Sequence, residues 1–234
     1  MTDVTIAVPT LNEEKYIKKC LDSLQKTVER FDGTVETLVI DSESTDDTVK
    51  ICEEHELVDR VVEVGKGILR ARHEGFVHAE GDILVSVDAD TVYVRNFLEK
   101  IVEPFEDPEV VMAYGRALGQ NRPIFGVGKS ALQYSLPIIG LDWVSGSNRA
   151  VRRESYFEAG GYDLDRDSNS LVKVIVEEQV LFPQRMRNHG KVVFVPEAVC
   201  HQSPRTGMSF LHMGEKEGGR NWKLLEMVQL PDFS

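Results

Sequence analysis

Two carboxylates one residue apart, Asp88 and Asp90, are the side chains of this sequence best suited to chemistry. Carboxylate oxygens are hard ligands, and a pair turned to one side can hold Mg²⁺ or Mn²⁺ together with the oxygens around the ion. The small Ala89 between them permits that turn. An Asp-x-Asp triplet is common on loop surfaces and carries little alone. Here it follows the apolar run Ile83-Leu84-Val85-Ser86-Val87, which reads as a buried strand that delivers both acids to its end.

The elements that must position this pair alternate between two periodicities. Strands are expected over residues 4–9, 35–40, 60–64, 83–87 and 110–114. Helices are expected from an N-cap at Asn12, from a capping box at Ser44-Thr45-Asp46-Asp47 to about His55, over 68–79, and over 95–105. The first helix places Tyr16, Ile17, Cys20, Leu21, Leu24 and Val28 on one face. The third is expected to bury Ile68, Ala71 or Arg72, Gly75 and Phe76. Such alternation predicts an α/β fold with a mostly parallel sheet covered on both faces, whose ligands bind beyond the carboxyl ends of the strands. Thr10, Asn12, Asp41, Ser42, Asp88 and Asp90 all fall at those ends.

The second half is less regular. Residues 123–143 are apolar with scattered glycines and read as a helix and loop beside the site. A short helix over 152–159 closes at Gly160-Gly161. A helix over 177–188 contains Pro183, a strand spans 192–195, and a loop over 196–205 carries His201. The tail 208–230 reads as helical, broken at Gly218-Gly219.

Composition narrows the class. The 234 residues are 41% hydrophobic and 28% charged, as in ordinary soluble domains, and suffice for one substantial core rather than two. A single domain over 1–234 is expected, with a regular first half (1–116), a less regular second half (117–205) and the tail (206–234). The net charge of −12 and the lack of a basic stripe argue against nucleic acid as partner. Three cysteines, Cys20, Cys52 and Cys200, stand at no metal-ligand spacing, and Cys20 and Cys52, on the apolar faces of helices, read as core thiols of a reducing compartment. Without a signal peptide or an apolar run near ~20 residues, a cytoplasmic protein is expected, at most peripheral to the inner face of a membrane.

Three blocks in register carry a resemblance: Val8-Pro9-Thr10-Leu11-Asn12-Glu13-Glu14, Val39-Ile40-Asp41-Ser42-Glu43-Ser44-Thr45-Asp46, and the segment from Lys66 to Asp90. Their order and spacing resemble family-2-type glycosyltransferases, nucleotide-sugar enzymes of the GT-A fold, over about residues 3–205. The start is also similar to polyprenyl-phosphate sugar transferases such as dolichyl-phosphate-mannose synthases.

The resemblance implies a UDP- or GDP-sugar donor bordered by Pro9, Thr10, Asn12, Glu13, Asp41, Lys66, Arg72, Asp88, Ala89 and Asp90. It implies Mn²⁺ or Mg²⁺ on Asp90 and Asp88, with His201 as a third ligand, since imidazole suits Mn²⁺ better than Mg²⁺. Gly146, Ser147 and Asn148 match the acceptor-side segment. Glu177-Glu178 matches paired acids, one of which acts as general base. Counting forward to Leu181 selects Glu178, with Glu177 second, whereas counting back from Arg185-Met186-Arg187-Asn188-His189-Gly190 selects Gln179, which cannot be a base. A one-residue difference or a kink at Pro183 would reconcile them.

The implied reaction is a single inverting displacement onto a hydroxyl of a sugar or glycolipid. The alternatives are a lipid-phosphate acceptor, which needs no strong base, a retaining transferase on the same fold, and a disabled nucleotide-binding or scaffolding protein. A nucleotidyltransferase fits less well, because no Gly-rich, Arg-containing loop follows the first strand. The oligomeric state is left open by the sequence.

Overall fold

The computed structural model describes residues 3–119, 144, 146–166 and 171–203. The expected elements at 123–143 and in the tail 208–230 lie outside the described residues. One eight-stranded sheet runs through both halves of the chain. Its strands are β1 (Val4–Thr10), β2 (Val35–Asp41), β3 (Arg60–Glu63), β4 (Ile83–Val87), β5 (Thr91–Tyr93), β6 (Val110–Gly119), β7 (Asn148–Arg152) and β8 (Lys191–Gln202). Their order in the sheet is β3-β2-β1-β4-β7-β6-β8-β5.

The first four strands in that order run parallel, as the βα alternation requires. The expected mostly parallel sheet is found, with four parallel strand pairs among seven in the described residues, and the antiparallel ones lie beyond β4. There β7 runs antiparallel to both β4 and β6, and β5 runs antiparallel to β8, while β6 and β8 are parallel. The sheet is therefore mixed.

Both faces of the sheet are covered. On one, Val4, Ile6 and Val8 meet Ile17, Cys20, Leu21 and Leu24 of helix α1 (Ile17–Val28), Cys52 of α2 (Thr48–Glu53) and Phe97, Leu98 and Ile101 of α4 (Phe97–Val102). The i, i+3, i+4, i+7 spacing in α1 puts its apolar stripe on the sheet, and burying one such Leu or Ile contributes about 1.5–3 kcal/mol. On the other face, Ala7 and Leu84 meet Leu69 and Phe76 of α3 (Ile68–His78) and Tyr156 of α5 (Arg153–Glu158). Phe76 stacks on Tyr156 with ring centroids 3.6 Å apart. Gly75 lies where α3 crosses β1, since a Cβ there would sit 3.0 Å from that of Ala7.

Several boundaries moved. Asn12 does not cap α1. It takes a left-handed backbone (φ 55°), and the helix begins only at Ile17. The second helix starts at Thr48 instead of within the Ser44 box, because Ser44, Asp46 and Thr48 bond to the loop after β1. Leu69, not Ile68, is buried at the start of α3. The fourth helix is shorter than expected and passes into a 3₁₀ turn at Glu103–Glu106. Strand β8 absorbs most of the loop expected over 196–205.

The helix containing Pro183 is continuous from Leu171 to Arg187 but has three parts: α6 (Leu171–Val176), a π-helical turn (Glu177–Leu181) and α7 (Phe182–Arg187). A π-turn holds one residue more than an α-turn. Proline is tolerated in the first turn of α7, where its missing N–H removes no α-helical bond.

Candidate active site

Strands β1, β2 and β4 end side by side. Thr10 is in register with Asp41, and Ala7 with Ser86, so the residues after these strands line one edge of the sheet. At that edge the Asp41 carboxylate is buried and fully engaged. It accepts from Thr10 Oγ1 at 2.9 Å, from the Ser44 backbone N–H at 2.8 Å and from Ser44 Oγ at 2.6 Å. Asn12 grips the same loop from the other side: its Oδ1 accepts from the Thr45 N–H at 2.8 Å and its own N–H donates to Ser44 Oγ at 2.8 Å. The Glu13 N–H donates to Thr48 Oγ1 at 2.7 Å. Pro9, Thr10, Asn12, Glu13 and Asp41 thus form one hydrogen-bonded wall. Leu11 between them is exposed.

Asp88, Ala89 and Asp90 leave β4 in a turn closed by the Thr91 N–H donating to the Asp88 carbonyl at 3.2 Å. Three anchors fix this turn. The Cys20 thiol of α1 lies 3.4 Å from the Asp88 carbonyl. The Tyr93 hydroxyl accepts from the Asp88 N–H at 3.0 Å and donates to the Ser147 carbonyl at 2.8 Å. Ser203 Oγ donates to Asp90 Oδ2 at 2.6 Å. Burial, together with the Glu178 and Asp90 charges and against the pull of Arg72, raises the Asp88 carboxyl above its usual value.

Arg72 is buried beneath the turn. It donates to Ser86 Oγ at 2.6 Å, to the Val87 carbonyl at 3.2 Å and to Asp88 Oδ1 at 2.5 Å, while its Nε lies 2.5 Å from Glu178 Oε1. Of the alternatives Ala71 and Arg72 on this helix, both are buried. Lys66 is exposed at the rim, 3.8 Å from Glu43, and is not gathered with Arg72.

The acceptor-side residues come next to this turn because β7 lies antiparallel against β4, with Asn148 opposite Val87. Ser147 accepts through its carbonyl from Tyr93 and through Oγ from Gln202 at 2.9 Å. Asn148 is fully buried and donates to the Ala198 carbonyl at 3.0 Å, so it packs the sheet interior. Gly146 lies against the Glu178 carboxylate: a Cβ there would come within 2.8 Å of Oε2 and nearer still to Oε1.

Both glutamates are buried and ion-paired. Glu177 accepts from the Asp163 N–H at 3.0 Å and from Arg185 at 2.5 Å, which ties the chain after Gly161 to the helix. Glu178 meets Arg72 and also Arg149, whose Nη2 donates to its Oε1 at 2.6 Å and whose Nη1 donates to its carbonyl at 3.0 Å. Burial pushes the Glu178 carboxyl up, but Arg72 and Arg149 outweigh it and hold it below the usual carboxylate range. A π-turn, which holds one residue more than an α-turn, lies where the two ways of counting along this helix differ by one. Glu178 meets Arg72 and Arg149, and Arg185 meets Glu177.

His201 sits on β8 opposite Val92, and the contact to Asp90 comes from Ser203 instead. Among the described residues no three His, Cys, Asp or Glu side chains are gathered as a ready ligand set, so Asp88, Asp90 and His201 do not form one. Sequence reasoning missed Tyr93 and Arg149. Tyr93 falls within a short strand with no pattern of its own. Arg149 has no pattern of its own in the sequence, but its place in β7, opposite Ser86 and Tyr114, leaves it fully buried.

A parallel βα half bearing an acidic turn, joined through an antiparallel strand to a second half, is the GT-A fold. Residues 5–157 match the model of Glycosyl transferase family 2, and the chain belongs to that family. A glucuronosyltransferase of Methanococcus voltae acting on dolichyl N-acetyl-alpha-D-glucosaminyl phosphate is 26% identical over 197 residues, 78% of this chain and 57% of that protein. A Streptococcus pneumoniae glycosyltransferase, GlyA, is 32% identical over 122 residues, 50% of this chain and 17% of that protein. The chain thus spans less than two thirds of the length of these curated relatives.

Among solved structures, the Pyrobaculum calidifontis mannosyltransferase PcManGT, in complex with GDP-Man and Mn²⁺, superposes with a TM-score of 0.63 at 24% identity, covering 85% of this chain and 56% of that one. The Mycobacterium tuberculosis glucosyl-3-phosphoglycerate synthase, with Mn²⁺, UDP-glucose and phosphoglyceric acid, gives 0.60 at 23%, covering 86% and 71%.

Proposed function

We propose that this chain transfers a sugar from a nucleoside-diphosphate sugar, with the donor lying along the edge formed by β1, β2 and β4. The observation that carries the reading is the Asp88–Asp90 turn, fixed by Cys20, Tyr93 and Ser203 beside the wall built on Asp41. Two carboxylates at the end of a buried strand are a donor set that fits a hard divalent cation, Mn²⁺ or Mg²⁺. Asp90 and Asp88 would hold it. When bound, it supplies positive charge against the leaving diphosphate.

The residues of the chain have distinct roles in this reading. Asp41, fixed by three donors and covered by Thr10, borders the nucleoside. Arg72 holds Asp88 Oδ1 and the end of β4 in place. Tyr93 links the acidic turn to Ser147, so the donor and acceptor sides share one anchor. A preorganised turn of this kind needs no rearrangement as charge develops on the leaving group.

With a hydroxyl acceptor, a base is required, and inversion follows from single displacement. The pairing of Glu178 with two arginines favours a second reading of the acceptor: a lipid phosphate, which arrives ionised. No helix among the described residues is long and apolar enough to cross a membrane, so a lipid acceptor would be met at a membrane surface. Turnover with a panel of UDP- and GDP-sugars in MnCl₂, with the anomer of the product read by NMR, tests the whole reading. Transfer with inversion is expected. No transfer or donor hydrolysis from any of them would leave a nucleotide-binding scaffold instead.

A further inference from the structure

Arg149 has the largest side chain among those fully buried in the described residues. A buried cation has a high desolvation cost and persists only where partners offset it. Its guanidinium lies 5.4 Å from the Tyr162 ring centroid and 5.8 Å from that of Phe182, and its hydrogen bonds go to one residue, Glu178. Glu178 in turn is 2.5 Å from Arg72, and Arg72 is 2.5 Å from Asp88. The four side chains alternate in charge: Arg149, Glu178, Arg72, Asp88. This chain runs from the π-turn of the acceptor-side helix to the acidic turn of the donor side.

Two features set Glu178 apart from a group waiting for an acceptor proton. Its carboxylate is covered by Gly146, against which it packs too closely for any Cβ. Its Oε1 is taken by both arginines. What this carboxylate does in the folded protein is divide the charge of Arg72. Without it, Arg72 would face Asp88 alone, and a guanidinium paired wholly to Asp88 competes with any cation for the same oxygens.

We propose that Glu178 is a positioning residue for the donor site. Held by Arg149, it draws on Arg72 so that Asp88 keeps its place and its negative charge available to a divalent cation carrying a nucleoside diphosphate. This rests on the reading of Asp88 and Asp90 given above. The role is distinct from taking a proton from the acceptor, and it makes a prediction on the donor side, where no acceptor is needed.

The experiment is calorimetric titration of the full chain with UDP and with GDP, each in MnCl₂ and in EDTA, for the parent, Glu178→Gln, Glu178→Asp and Asp90→Asn. The readout is the ratio of affinities with and without Mn²⁺, at a temperature where every variant is folded by circular dichroism. A merely structural role would lower the melting temperature and leave that ratio alone. Glu178→Gln keeps the shape and removes the charge; Glu178→Asp keeps the charge and shortens the reach. Both are expected to lower the ratio about tenfold, which is ~1.4 kcal/mol of coupling.

A ratio within twofold of the parent in either folded variant overturns the proposal, whatever happens to turnover. If the parent itself shows no Mn²⁺-dependent binding, the donor-site reading fails instead, so the two failures are distinguishable. Should Glu178→Gln not fold, Glu178→Asp alone decides. Arg149→Lys, which retains the buried charge but not the pair of hydrogen bonds to the Glu178 carboxylate and carbonyl, is then the second variant and should lower the ratio in the same direction.

Discussion

Replacing Gly146 with alanine tests how tightly the two halves of the site are joined. An added Cβ would lie 2.7 Å from Cδ and 2.8 Å from Oε2 of Glu178, closer than real Cβ contacts, and nearer still to Oε1. A flexible carboxylate could swing aside, but this one is held by Arg72 and by Arg149 Nη2, while Arg149 Nη1 holds the Glu178 carbonyl. Two routes are open. The backbone at residue 146 can shift, at the usual overpacking cost of about 1–3 kcal/mol. Alternatively Glu178 can leave its arginines, at about 3–5 kcal/mol for breaking a buried pair. The cheaper route sets the cost, and because three atoms of one pinned group are struck, about 2–3 kcal/mol is expected. For a chain of this size that lowers the melting temperature by roughly 4–12 °C. The assay is differential scanning calorimetry of Gly146→Ala, Glu178→Ala and the double variant. Deleting the side chain that is struck should remove most of the added cost, leaving a coupling of about 1 kcal/mol or more. A Gly146→Ala protein melting within about 2 °C of the parent, or strictly additive costs in the double variant, would refute the close packing of Gly146 on a fixed carboxylate.

Other outcomes follow from single groups. Asp41→Asn presents an amide N–H₂ to a set of donors at Thr10 and Ser44, so urea unfolding should show a loss of about 1–3 kcal/mol, and a neutral result would contradict the three bonds assigned to that carboxylate. The Tyr162 hydroxyl is buried without a hydrogen-bond partner among the described residues, so Tyr162→Phe should be neutral or stabilising by up to about 1 kcal/mol; a loss above that in a thermal melt would reveal a partner. The Glu178 carboxyl is held below its usual value of about 4.3, so its pairing contributes stability that is present above that pH and lost as pH falls through its lower folded value. The stability gap between the parent and Glu178→Gln should therefore narrow from pH ~5 to pH ~3, and a gap constant over that window in urea titrations would contradict the pairing.

The donor half was legible in the sequence because its cues are local. Apolar runs of strand length ending in Asp41 and Asp88, and the helical stripe Ile17, Cys20, Leu21, Leu24, depend on near neighbours and survive in the fold. Helix starts were misjudged where side chains that normally cap a helix bond across the sheet edge. Asn12 and Ser44 satisfy each other's loops, not their own first turns.

The second half resisted because its cues are long-range. Nothing near Arg149 signals that its partner is Glu178, and its burial follows only once β7 is known to lie between β4 and β6. The misfit in counting falls on residues 177–190, where the helix carries a π-turn that no local sequence cue announces. His201 drew notice as a lone imidazole near the site, but strand pairing brings Ser203 to Asp90 instead.

The account stands or falls on cation-dependent nucleotide binding at the acidic turn. Isothermal titration of UDP and GDP into the parent and into Asp90→Asn, with MnCl₂ or with EDTA, measures it without knowledge of sugar or acceptor. The parent should bind one of the two nucleotides at least tenfold more tightly with Mn²⁺, and Asp90→Asn should lose that gain while keeping its fold. Equal affinity with and without the metal in the parent, or a gain untouched in Asp90→Asn, would contradict the account.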